Sequence, residues 1–159
     1  MREFSLHYKK GTSLVELIAV IVIMGIIAGI AIPTTIAVIN RQKRNAAVKS
    51  MEALVSTCKN LILEAQASAT GTAVYLTATY GTSSGTPTSF TLKNNDSSGA
   101  NIEGFSSADL NVDSLKYDGT ITCTFTIQGA TWSWSLGGTA ESNGIPMTIG
   151  QTTGVVSAS

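Results

Sequence analysis

Lys9-Lys10-Gly11-Thr12-Ser13-Leu14-Val15-Glu16 opens an apolar run that reaches Pro33. Leu14 to Ile32 is 19 residues, and Glu16 is the only charge among them. A helix rises about 1.5 Å per residue, and about 20 apolar residues cross a ~30 Å hydrocarbon core, so this segment is long enough to span a membrane. Two details set it apart from a plain anchor. A basic pair and a glycine stand directly before it, and a carboxylate sits just inside its start. An ionisable group within a span is costly unless paired, which makes Glu16 a functional candidate by default.

This pattern resembles the N-terminus of bacterial type IV prepilins and of the related type II secretion pseudopilins. The resemblance covers roughly the first 30 residues. It sets Gly11 as the last leader residue, Thr12 as the first residue of the mature chain, Glu16 as its fifth, and Gly25 and Pro33 at the family's usual spacings. The family commonly begins its mature chain with Phe, where this sequence has Thr12. The resemblance implies cleavage between Gly11 and Thr12 by a prepilin peptidase on the cytoplasmic side, and N-methylation at Thr12. It also implies a membrane assembly platform with its ATPase, and a homopolymer in which Glu16, Gly25 and Pro33 serve assembly. The implied fold is α+β and pilin-like, a long N-terminal helix packed on an antiparallel sheet. The implied division is a leader over 1–11, a membrane-spanning or filament-core half-helix over 12–40, and a head over 41–159. Localisation follows: a single-pass precursor in the cytoplasmic membrane, leader inside and head outside, then an extracellular fibre.

Read without the resemblance, charge alone does not set the topology. Arg2, Lys9 and Lys10 precede the span, while Arg41, Lys43 and Arg44 follow it, so the positive-inside rule is balanced. A cleaved secretory signal is disfavoured, since the apolar run is long and no small-residue cleavage site follows a short core. An uncleaved anchor is the plain competing reading, and it gives Gly11 and Glu16 no role.

The formal net charge is zero. Removing the leader takes away Arg2, Lys9 and Lys10 against Glu3, which leaves the rest at −2. Residues 41–64 carry five cations against Glu52 and Glu64, a balance of +3. From residue 65 onward Lys93 and Lys116 oppose six carboxylates, a balance of −4. A basic stem and an acidic head result. Such a head is no nucleic-acid binder, and the basic residues beyond the span suit lipid phosphates before assembly. Only 13% of residues are charged, which suits a surface that packs on its own copies.

Beyond Pro33 the helical pattern continues. Val48, Met51, Val55, Cys58, Ile62 and Ala65 recur at steps of three and four, widened by Leu54 and Leu61. One helix is expected from about Thr12 to Ala69, about 85 Å long, with Pro33 kinking it or loosening a turn. Strands are expected over 72–80, 89–93, 120–128 and 131–136, with an edge strand at 145–149 and a frayed tail after Gly150. Thr120–Gln128 is the clearest, since Ile121, Cys123, Phe125 and Ile127 alternate with threonines.

Cys58 lies on the helix stripe and Cys123 on the apolar face of that strand, 65 residues apart. Outside the cell the two can form a disulfide; the alternative is two buried thiols acting as small apolar fillers. Catalytic signals are absent. The one histidine is His7, in the leader, and neither a phosphate loop nor a nucleophile elbow appears. No cofactor or metal is expected. Asp109-Leu110-Asn111-Val112-Asp113 resembles the start of a calcium loop, but Ser114 and Thr120 stand where Gly and Glu are required. A short helix capped by Ser106 or Ser107 is the better reading. Trp132 and Trp134 suit a core face under a helix, with a carbohydrate platform as the alternative. Asn95-Asp96-Ser97 matches a glycosylation acceptor, which says little in a bacterial protein.

Three functions therefore remain in view: a pilus subunit, a pseudopilin forming a shorter filament, and a membrane-anchored binding domain that never polymerises.

Overall fold

The computed structural model describes residues 13–81, 85–113 and 115–159, with the side chains of 31–34 outside that set. The chain is α+β. It holds one long helix, α1 (Leu14–Gln66), and a sheet of six strands. The strands are β1 (Ala73–Tyr80), β2 (Ser89–Asn94), β3 (Tyr117–Thr126), β4 (Thr131–Ser142), β5 (Ile145–Ile149) and β6 (Val156–Ala158). Their order is β2-β1-β3-β4-β5-β6, and every pairing is antiparallel. Two compact units are distinguished, Met1–Arg41 and Gln42–Ser159.

In the first unit α1 is apolar all round and runs through position 33 without interruption. In the second, α1 is one-sided. Ala47, Met51, Leu54, Val55, Cys58, Leu61, Ile62 and Ala65 are buried, while Glu52, Ser56 and Lys59 lie outside that stripe. The spacing expected from the sequence is there, with Ala47 and Ser50 added to the buried set. Ser50 is tolerated because its hydroxyl donates to the Ala47 carbonyl at 2.9 Å and lies 3.4 Å from the Ser142 hydroxyl. The helix stops at Gln66, short of the expected Ala69. There the N–H groups of Ala67, Ser68 and Ala69 reach back only three residues, tightening the last turn before Gly71.

The stripe packs on one face of the sheet. Period-two alternation supplies that face: Val74, Leu76, Ala78 and Tyr80 from β1, Ile121, Cys123 and Phe125 from β3, and Trp134 from β4 are all buried. The opposite face carries Thr77, Thr79, Thr120, Thr122, Thr124 and Ser135, and the β-branched threonines among them suit a half-solvated pleat. Tyr80 is buried at the core edge with its hydroxyl donating to the Leu110 carbonyl at 2.9 Å.

Two strands run well past their expected bounds, β3 starting at Tyr117 and β4 continuing to Ser142, and the tail adds a further strand, β6. Between Asp118 and Thr120 the register shifts, with Gly119 at φ +145° absorbing the bulge. The tail after Gly150 is the larger correction. Val156 is buried, β6 pairs with β5, and the Gln151 carbonyl accepts the Trp134 N–H at 2.7 Å. Gly154 is at φ +68° beside the indole. A Cβ there would lie 3.0 Å from Trp134 Nε1 and 3.3 Å from Val55 Cγ1, so the close approach requires glycine.

Candidate assembly site

The N-terminal half of α1 is built from its first turn. The Leu17 N–H donates to the Ser13 carbonyl at 3.1 Å, which makes Ser13 the N-cap. The Glu16 carboxylate accepts the Ser13 backbone N–H at 3.0 Å. That is the acidic half of a capping box, with Glu at the third helical position. A negative charge there also complements the helix dipole. The sequence reading gave Glu16 a role toward a neighbouring chain, whereas its partner within this chain is local. Gly11 and Thr12, the expected cleavage and methylation positions, lie outside the described residues, as does the side chain of Pro33.

From Leu14 to Ile30 every residue is exposed, including Leu14 at 73% and Ile30 at 68%. By length and composition this helix can cross a membrane, and its most apolar window is wholly unburied, unlike the core helix of a soluble domain. Gly25 and Gly29 stand within it, and a Cβ at either would meet nothing within 4 Å. Glycine in a helix interior costs about 1 kcal/mol relative to alanine. Nothing among the described residues requires that cost. Small residues in such a helix let a second backbone approach closely.

Beyond it, Arg41, Lys43 and Arg44 are exposed. Among the described residues the one ion pair is Lys49–Glu52 at 2.7 Å, so these three cations have no carboxylate partner there.

The structure places Cys58 and Cys123 in one core, both fully buried and both free thiols. Each acts as a small apolar filler, and burial pushes the Cys58 thiol up to about 12, against the ionisation that oxidation requires. Burial likewise raises Cys123, with the neighbouring Cys58 adding to it.

Trp132 and Trp134 do share one face of β4. Trp134 is buried, with 1% exposed, and forms part of the core. Trp132 is half-buried, stacked on Trp134 at 5.7 Å and tilted against Phe125 at 4.5 Å. Lys59 Nζ lies 5.7 Å from the Trp134 ring centre and 6.0 Å from that of Trp132. Trp134 is thereby closed off in the core, while Trp132 keeps part of its surface exposed. The Asp109–Asp113 segment begins in the short helical turn expected there. Residues Ser107–Leu110 form a short 3-10 helix, and Asp109 reaches back to accept the Ser106 N–H at 2.7 Å and its hydroxyl at 3.1 Å. Among the described residues no group of three or more potential metal ligands gathers.

Comparison with protein families, with curated proteins and with solved structures finds no significant match to this chain.

Proposed function

We propose that this chain is a structural subunit of an extracellular filament of the type IV pilus kind. A prepilin peptidase trims it between Gly11 and Thr12. The apolar half of α1 then holds it in the cytoplasmic membrane until an assembly platform and its ATPase stack it into a homopolymer. One observation carries the reading: an exposed, all-round apolar half-helix that starts at a capped carboxylate and continues directly into the core of a folded head. Such a surface has two resting places, lipid or copies of itself. In the filament the helices leave lipid and bury against one another, and the heads form the outside.

Two further features support polymerisation over simple anchoring. Gly25 and Gly29 have no packing partner among the described residues. The aromatic face that a non-polymerising binding domain would offer is largely taken up by its own core. The test is electron microscopy of protein sheared from cells expressing this chain with a prepilin peptidase and an assembly platform. Filaments made of this subunit support the reading, and a membrane pool of monomers with no fibres contradicts it.

A further inference from the structure

β2 is the edge strand next to β1, and residues 100–103 hook along its free side. The Asn94 N–H donates to the Ala100 carbonyl and the Ile102 N–H to the Leu92 carbonyl, each at 2.9 Å. This hook, together with Phe105, leaves an open pocket of about 150 Å³ walled by Phe90, Leu92, Ile102 and Phe105, with Glu103 among its lining residues. Glu103 is exposed and has neither an ion pair nor a hydrogen bond among the described residues. The cation on the adjoining strand does not serve it, because Lys93 Nζ donates to the Ser97 carbonyl at 2.7 Å. An unpaired carboxylate beside a small open pocket with a mostly polar lining can receive a cation, which gains a charge-assisted contact there. The pocket is much smaller than a typical cavity for a drug-sized ligand, and it matches the end of one side chain.

The complementary charge is on the same chain. Lys43 and Arg44 are exposed and unpaired among the described residues, and α1 holds no acidic residue between Glu16 and Glu52. In lipid these cations can face phosphates; in a polymer they need another anion.

We propose that the Phe90–Glu103–Phe105 pocket of one copy receives Lys43 or Arg44 from the stem of a second copy. Repeated head to tail, this contact between two different surfaces propagates into an open helical array, as the filament reading requires. The inference rests on the filament reading and names one of its subunit contacts.

The experiment is charge reversal in the full chain, expressed as the sole copy, with sheared fibres and the membrane pool quantified separately. Glu103→Lys, and Lys43→Glu with Arg44→Glu, should each lower fibre yield about tenfold or more at an unchanged membrane pool. Combining the reversals should restore most of it. Fibres at the parent level in Glu103→Lys, or no rescue in the combination, would overturn this contact while leaving the filament reading intact. A parent chain that never polymerises removes both. Glu103→Cys combined with Lys43→Cys, and separately with Arg44→Cys, supplies a second measurement: oxidised fibres of one pair should yield a ladder of covalent oligomers, and monomers alone from both pairs would overturn the contact.

Discussion

Glu16 accepts a hydrogen bond from the backbone N–H of Ser13 at 3.0 Å, across the first turn of α1. The contact gives a carboxylate at the edge of an apolar segment a reason to be there in the single chain. It satisfies one of the orphan donors of the helix and lies at the positive end of its dipole. It does not neutralise the charge. A filament account needs the remaining charge to meet a cation, and cleavage at Gly11 would create one, the amine of Thr12 on a neighbouring subunit.

Capping and charge pairing can be separated by chemistry. Glu16→Gln keeps an acceptor at the third helical position, so the cap survives. Glu16→Ala loses the cap, at about 1 kcal/mol of local helix stability. If the carboxylate sets the register between subunits, both variants insert and are cleaved normally, and both fail to build fibres when expressed as the sole copy. If capping is the whole role, Glu16→Gln assembles like the parent. Fibre yield against membrane pool distinguishes the two.

Gly25 offers a test of what covers the apolar helix. A Cβ there meets nothing within 4 Å among the described residues, so Gly25→Ala should be harmless or slightly stabilising in the monomer, by about 1 kcal/mol of helix propensity. Gly25→Ile should likewise leave insertion and the membrane pool unchanged. In a packed bundle of helices the added volume blocks close approach, so fibres should be lost. Normal fibres from Gly25→Ile would mean that this face never meets another helix.

The two thiols set an alkaline limit on the head. Below pH 9.0, the ordinary thiol value, Cys58 is protonated in both folded and unfolded chains and adds no pH dependence. Between pH 9.0 and about 12 the unfolded chain releases a proton that the buried Cys58 retains, so stability falls as pH rises. The slope approaches about 1.4 kcal/mol per pH unit for each such group. Cys123 acts in the same direction, as does Tyr117, pushed up to about 12 by burial and by the neighbouring Asp118. Thermal melts of the head should therefore drop steadily above pH 9.0. A thiol-alkylating reagent should add nothing to the native chain and two adducts after unfolding. Rapid native labelling would show that the core around Cys58 and Cys123 is open.

What the sequence made legible follows from periodicity. Steps of three and four from Val48 to Ala65 marked the helix face, and alternation around Ile121, Cys123 and Phe125 marked the central strand, because burial on one side imposes those periods. The tail after Gly150 carries no such signal, so its strand is not legible in the sequence. Val156 and the turn at Gly154 are held by what they pack against, Trp134 and Val55, and by β5; three residues of strand carry too little pattern to declare themselves. The local partner of Glu16 was present in the spacing Ser13-Leu14-Val15-Glu16, a serine followed three residues later by an acid. The membrane signal overshadowed it. The cysteines were placed correctly in one core, but facing positions do not determine whether two sulfurs bond. The pocket at Glu103 came from a hook over an edge strand, which no local period announces.

The most direct test is the N-terminal residue and mass of the subunit recovered from sheared surface material. The account predicts fibres whose subunits begin at Thr12, with Gly11 and everything before it removed. Replacing Gly11 with a bulky residue should leave full-length precursor in the membrane and no fibres. Subunits that retain Met1–Gly11 in assembled fibres, or Thr12-initiated protein recovered from the Gly11 variant, would contradict it.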